Sequence, residues 1–170
     1  SAIFRQRDAF YIPKFSNEIH YEAEVVVKLN RLGKNIQAKF AHKYFKEFTL
    51  GIDFTARDVQ SKLKDKGLPW EKAKAFDQSA VLGDYLSVDD YDLNDLNFSL
   101  KKNGETVQQG NTQLMMHSIP QIIEHCSQYF TLKIGDLIFT GTPAGVGKVD
   151  IGDVLEGFIE DKKVLHVRVK

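Results

Sequence analysis

The sequence predicts an α+β fold with a large, mostly antiparallel or mixed sheet. Three observations predict it. Segments rich in β-branched and aromatic residues outnumber segments with helical spacing, and helices interrupt the strands rather than alternate with them. Asn103-Gly104 separates two strand-like runs and supplies the positive φ values that a two-residue hairpin turn demands. Thr131–Lys170 is punctuated by glycine and reads as β-structure throughout.

In chain order, Phe10–Phe15 is a short apolar stretch broken by Pro13, which fits an edge strand or a loop. Ile19–Leu29 reads as one strand, followed by turn material at Asn30–Asn35. Gln37–Glu47 reads as a helix, because Phe40, Tyr44 and Phe48 recur one turn apart. Phe48–Phe54 returns to strand. Thr55 is placed to cap a helix that carries Asp58 in its first turn and runs to about Asp65, where Gly67 and Pro69 stop it. Trp70–Phe76 is short and helical or irregular, and the acid-rich Asp84–Asp95 reads as a surface loop. The hairpin pairs Leu96–Lys102 with Glu105–Gln109. Ser118-Ile119-Pro120-Gln121 opens a helix with a capping box, and Ile119, Ile122, Ile123, Cys126 and Phe130 form its apolar stripe. Leu137–Thr140, Val154–Ile159 and Val164–Val169 are the closing strands.

The 170 residues suffice for one substantial core, and one domain over 1–170 is expected. Composition is 42% hydrophobic and 27% charged, with 23 acidic and 23 basic residues. Zero net charge argues against nucleic acid or an anionic membrane as the main partner. No apolar run approaches a membrane span, and Ser1–Asp8 does not read as a signal peptide. Cys126 is alone, so the chain forms no internal disulfide; a reducing cytoplasm is the simplest compartment.

The chemistry centres on His20-Tyr21-Glu22-Ala23-Glu24. On a continuous strand His20, Glu22 and Glu24 share a face. Two carboxylates one strand repeat apart repel each other unless solvated or sharing a cation, and hard cations such as Mg2+ accept such oxygens. The plain alternative is an edge strand with a wet polar face. Asp53 ends a strand where the chain turns into a helix; it completes an all-oxygen triad with Glu22 and Glu24, or simply favours the helix dipole. Arg57 and Gln60 share a face of that helix, with Lys64 beyond. Lys72 and Lys74 lie between Trp70 and Phe76, where a lysine is either desolvated or snorkels to water.

Other patterns fail on their chemistry. The loop Thr140-Gly141-Thr142-Pro143-Ala144-Gly145-Val146-Gly147-Lys148 looks like a phosphate loop, but Val149 replaces the Ser/Thr that would bind Mg2+, and a strand follows rather than a helix. Asp90–Asp95 begins like a calcium loop, yet it lacks the central glycine and has Lys101 at the twelfth position. No Cys–His spacing suits zinc, and His42, His117, His125 and His166 show no pairing.

Taken in order, these segments resemble the fumarylacetoacetate hydrolase family over nearly the whole chain. The resemblance is carried by His20–Glu24, Gly51–Gln60, Lys66–Trp70 with Lys74–Asp77, Asn103–Glu105 with Gln109–Thr112, and Ile138–Gly147. It is closest to the short-chain branch of acylpyruvate hydrolases, oxaloacetate decarboxylases and homoprotocatechuate-pathway isomerases. The resemblance implies a mixed β-roll, usually homodimeric, with Mg2+ (in some members Mn2+ or Ca2+) on Glu22, Glu24 and Asp53. It implies catalytic roles for Gln60 and Lys74, substrate contacts from Arg57, Thr140, Gly141 and Thr142, and a small keto acid as substrate. The expected chemistry places Mg2+ as a Lewis acid beside a developing enolate, with the charge of Lys74 nearby. Acylpyruvate C–C hydrolysis comes first on this reading. Decarboxylation or keto–enol isomerisation of a related diacid comes second. A catalytically silent metal- or ligand-binding homologue is the reading of another class, because nothing before His20 matches the His–Glu pair of the family's N-terminal lid. The chain opens at Ser1-Ala2-Ile3-Phe4 without Met, and an upstream segment carrying that pair is expected.

Overall fold

An interruption of the strand at Glu22 decides how this chain is laid out. The structure, a computed structural model, describes residues 2–6 and 8–170; Ser1, where the expectation of an upstream segment begins, and Arg7 lie outside the described residues. The elements run β1 (Ile3–Arg5), β2 (Ile19–Tyr21), β3 (Ala23–Leu29), β4 (Phe45–Asp53), β5 (Thr55–Ala56), α1 (Arg57–Asp65), α2 (Glu71–Lys74), β6 (Ala80–Leu82) and β7 (Leu86–Ser87). They continue with β8 (Asn97–Lys102), β9 (Glu105–Asn111), α3 (Ile119–Tyr129), β10 (Leu137–Phe139), β11 (Gly147–Lys148), β12 (Val154–Ile159) and β13 (Lys162–Arg168).

Among the described residues these strands form three sheets. One has the order β1-β6-β4-β3-β10, with β7 also paired to β4. A second has the order β11-β2-β5, and a third β13-β12-β8-β9. Among the described strand pairs only β1–β6 is parallel, so the α+β class with a mixed sheet holds. The expected single strand Ile19–Leu29 is therefore two strands in different sheets, divided at Glu22. The alternation that would place His20 on the face of Glu22 and Glu24 stops at that division.

β3 and β4 pair from Ala23–Ile52 to Leu29–Phe45 and form the centre of the fold. β3 is buried on both faces, with Val25, Val26, Val27 and Leu29 no more than 1% exposed. The third sheet packs on β4 so closely that a Cβ on Gly157 would lie 2.7 Å from Leu50 Cδ2 and force that buried side chain to shift. Phe10 stacks on Phe54 with ring centroids 3.8 Å apart, and Phe10 also bridges to Val169. The Phe10–Phe15 stretch is otherwise a loop. Among the described residues no helix is long and apolar enough to cross a membrane.

Several expected elements differ. The helix expected over Gln37–Glu47 is a short 3-10 turn at Ala38–Lys43, after which β4 has already begun at Phe45. Pairing with β3 claims Phe45–Glu47, and Phe40 is left 43% exposed rather than on a buried stripe. Thr55 does not cap a helix. It lies in β5, and α1 starts at Arg57 behind Ala56, with no side-chain cap. The acid-rich loop contains β7 and a 3-10 turn at Val88–Asp90. The Asn103-Gly104 hairpin forms as expected, with φ of 53° and 86°. α3 carries its Ser118–Gln121 capping box; Ile119 and Ile123 are buried, but Phe130 falls past the helix end and is exposed.

Candidate active site and metal centre

The division at Glu22 sets its carboxylate beside two that the paired strands β3 and β4 carry. Glu22 lies between β2 and β3, Glu24 is on β3, and Asp53 ends the paired strand β4. The backbone locks this corner, since the Asp53 N–H donates to the Glu22 carbonyl at 2.9 Å. One carboxylate oxygen from each of the three residues lies within 4.8 Å of the others. Glu22 and Glu24 are only 7% and 6% exposed. His20 stands apart, its Nε2 facing Glu18 at 3.4 Å.

Two cationic side chains reach this triad. Lys74, on α2, donates from Nζ to Glu22 Oε2 at 2.7 Å, Asp53 Oδ2 at 2.8 Å and Thr55 Oγ1 at 2.7 Å. Arg57, at the start of α1, donates from Nη2 to Glu22 Oε1 at 2.5 Å and from Nη1 to Gln60 Oε1 at 2.7 Å. Arg57 and Gln60 thus share a helix face, as their spacing predicts. Lys64 lies over the Trp70 ring instead, 5.6 Å from its centroid, and Lys72 is exposed.

The electrostatics separate the three acids. Burial alone would raise Glu22, but its hydrogen bonds to Lys74 and Arg57 outweigh burial and hold the carboxyl below its ordinary value. Burial raises Asp53, and Lys74 offsets this only in part. Among the described residues no side-chain cation hydrogen-bonds Glu24, and the charge of Lys74 acts on it only through space. Burial, aided by the charges of Asp53 and Glu22 and opposed by a hydrogen bond from Gly141, pushes it up to about 7. Lys74 is itself held above its ordinary value, because bonds to Asp53 and Glu22 outweigh its burial.

The loop after β10 closes the other side. The Gly141 N–H donates to Glu24 Oε2 at 2.7 Å from a backbone with φ of 101°. A Cβ there would meet nothing within 4 Å, so the positive φ alone calls for glycine. Thr140 is turned toward β3, its hydroxyl donating to the Val25 carbonyl at 2.8 Å. The Thr142 hydroxyl accepts from Gln108 Nε2 at 2.9 Å. The sequence-predicted residues Glu22, Glu24, Asp53, Arg57, Gln60, Lys74 and Gly141 are joined by direct hydrogen bonds or shared carboxylates, with Thr140 and Thr142 flanking Gly141. Sequence reasoning missed Thr55, assigned as a cap, and Gln108, which stands beside the quoted Gln109–Thr112 motif.

The donor set fits a hard divalent ion. All three groups offer oxygen, Glu22 and Glu24 are nearly buried, and the three carboxylates lie close enough to share one cation. A family model described as fumarylacetoacetate hydrolase, C-terminal, matches residues 1–170. The chain belongs to the fumarylacetoacetate hydrolase family. It is 38% identical over 151 residues to the mitochondrial oxaloacetate tautomerase fahd-1 of Caenorhabditis elegans, a match covering 88% of this chain and 71% of that protein. It is also 38% identical over 157 residues to the oxaloacetate tautomerase YcgM of Escherichia coli, covering 91% and 72%. The crystal structure of fumarylpyruvate hydrolase from Pseudomonas aeruginosa, in complex with Mn2+ and pyruvate, superposes with a TM-score of 0.92 at 32% identity, covering 99% of this chain and 74% of that one. These relatives are named as enzymes, and the fumarylpyruvate hydrolase structure shares the fold of this chain.

Proposed function

We propose that this chain is the catalytic domain of a divalent-metal enzyme that acts on small 2-oxo acids by stabilising negative charge on the keto oxygen. The observation that carries the reading is the convergence of Glu22, Glu24 and Asp53 within 4.8 Å, with Lys74 Nζ against two of them. Those three acids would hold the metal, Mg2+ first and Mn2+ or Ca2+ as substitutes. Bound there, the ion supplies Lewis acidity toward the carboxylate and keto oxygens of the substrate. Lys74 adds a fixed positive charge at the same place, and the low solvent exposure of Glu22 and Glu24 increases what that charge contributes. Arg57 fixes the orientation of Glu22 and holds Gln60 toward the site. Thr142 supplies a hydroxyl for the substrate's anionic end.

Keto–enol conversion of an oxaloacetate-like diacid takes first place, supported by the relatives that carry that activity in their names. C–C hydrolysis of an acylpyruvate is the second reading, favoured by the likeness to fumarylpyruvate hydrolase. Both need negative charge stabilised on the same oxygen. The full-length protein, expected to be a homodimer, is assayed with Mg2+ or Mn2+ on oxaloacetate and on an acylpyruvate. Turnover of either is expected, and E22A and D53A should abolish both turnover and Mn2+ binding while remaining folded. Bound metal without turnover of either substrate would leave a silent metal-binding homologue. Unchanged Mn2+ affinity in both variants would sink the metal assignment.

A further inference from the structure

Gln108 is only 2% exposed and its side-chain amide is fully used. Oε1 accepts from the Ala23 N–H at 3.0 Å, and Nε2 donates to Thr142 Oγ1 at 2.9 Å and to the Pro143 carbonyl at 3.1 Å. The assignment of oxygen and nitrogen is forced by the partners: a backbone N–H needs an acceptor, and a proline carbonyl needs a donor. Ala23 is the residue between Glu22 and Glu24, at the point where the chain passes from β2 to β3. The same loop also lies against β9, since a Cβ on Gly145 would collide with the Val107 carbonyl.

We infer that Gln108 is a positioning residue that acts on the proposed site in two ways. Its carbonyl oxygen holds the backbone between the two glutamates. Its NH2 obliges Thr142 Oγ1 to accept, which leaves the Thr142 proton free to be donated to an anionic ligand. A hydroxyl that donated inward would turn a lone pair on the substrate carboxylate. The NH2 of Gln108 therefore makes Thr142 a donor toward the substrate, whereas an acceptor in its place would make the loop repel an anion. This rests on the proposed reading of the site as a metal-dependent 2-oxo acid centre.

The test uses Q108E, Q108M and T142V in the full-length protein, with Mn2+ affinity and keto-acid KM measured separately. Q108E keeps an acceptor for Ala23 but replaces the donors to Thr142 and Pro143. We expect its KM to rise tenfold or more, with Mn2+ affinity closer to wild type than that of Q108M. Q108M loses both roles and should weaken Mn2+ tenfold or more. T142V should raise KM by itself, and the Q108E/T142V double variant should show no further multiplication, because both changes remove the same donated proton. Folded Q108M with wild-type Mn2+ affinity would overturn the strand-holding role. Multiplying KM losses in the double variant, or a wild-type KM in Q108E, would overturn the Thr142 role. Should Q108M not fold, the Q108E and T142V cycle still decides the second role, and Q108A, which also removes the acceptor for Ala23, decides the first: weakened Mn2+ binding supports it and wild-type Mn2+ affinity overturns it. Should the wild-type protein bind Mn2+ but turn over neither substrate, Mn2+ and pyruvate affinities replace KM, which separates this inference from the choice of reaction.

Discussion

Lys74 Nζ stands 2.7 Å from Glu22 Oε2, and the same ammonium reaches Asp53 Oδ2 at 2.8 Å. A lysine on a four-residue helix thus bridges a carboxylate at the β2–β3 junction and one at the end of β4. Removing it leaves Glu22 to Arg57 and leaves Asp53 without its cation. K74M should therefore cost the metal-free protein about 2 kcal/mol, the scale of hydrogen bonds to charged groups. Divalent metal should stabilise K74M more than wild type, because the ammonium no longer competes for the same oxygens. Turnover should fall by a hundredfold or more without loss of metal affinity. Urea unfolding with and without Mg2+, isothermal titration of the metal and a keto-acid turnover assay check these statements.

Glu24 gives the metal-free protein a pH dependence of definite sign. Its folded-state pKa of about 7 lies above the ordinary value of 4.5, chiefly through burial. The folded form therefore holds the proton more tightly than the unfolded form. That contribution, on the order of 3 kcal/mol, is fully present below pH 4.5 and is lost as pH rises through about 7. Metal binding must displace the same proton, so affinity should climb with pH up to about 7 and then level. E24Q should flatten the stability trend and abolish the metal trend. Denaturation midpoints between pH 5 and 8, with and without Mg2+, supply the measurement.

Gly141 is held at φ of 101° so that its N–H can meet Glu24. G141A meets no steric obstacle, so its cost is the backbone conformation, about 1 kcal/mol. Relaxing that φ moves the N–H away from Glu24. The expected result is metal affinity weakened several-fold with the fold intact. Wild-type metal affinity in a destabilised G141A would show that the N–H does not tune Glu24.

These residues also show where one-dimensional reading succeeds. The triad is visible in sequence because its members lie at the ends and middle of strands whose β-branched composition is strong, and the Asn103-Gly104 turn is visible because only a few residues tolerate positive φ. The break at Glu22 is not visible, since Ile19–Leu29 has strand composition throughout and the division depends on which sheets claim each half. The same pairing energy overrides the helical spacing of Phe40 and Tyr44. Thr55 looks like a cap because its local neighbours fit one, yet Lys74, nineteen positions on, takes its hydroxyl. Gln108 has no local signal, because its partners Ala23 and Thr142 are 85 and 34 residues away.

Asp58 links stability to the placement of Arg57. Its carboxylate accepts from Ser16 Oγ at 2.5 Å, the Asn17 N–H at 3.3 Å and the Val59 N–H at 2.9 Å. The Arg57 N–H meanwhile donates to the Glu18 carbonyl at 2.8 Å, so the loop before β2 is latched to the first turn of α1 on both sides. Burial would raise Asp58, but these hydrogen bonds outweigh it and hold the carboxyl below 3.8. The latch is therefore present above the unfolded-state value and is lost as pH falls through the lower folded-state value. D58A should cost about 1 kcal/mol above pH 5, discounted for partial exposure, and the difference from wild type should vanish in strong acid. Because α1 carries Arg57 to Glu22, D58A should also lower kcat/KM several-fold. Metal affinity should change less than in E22A, since Glu24 and Asp53 stand on β3 and β4 and Glu22 is held through the Asp53 N–H rather than by Asp58. Urea titrations at two pH values and Mn2+ binding to D58A test it, and a D58A protein as weak in Mn2+ binding as E22A would overturn the separation.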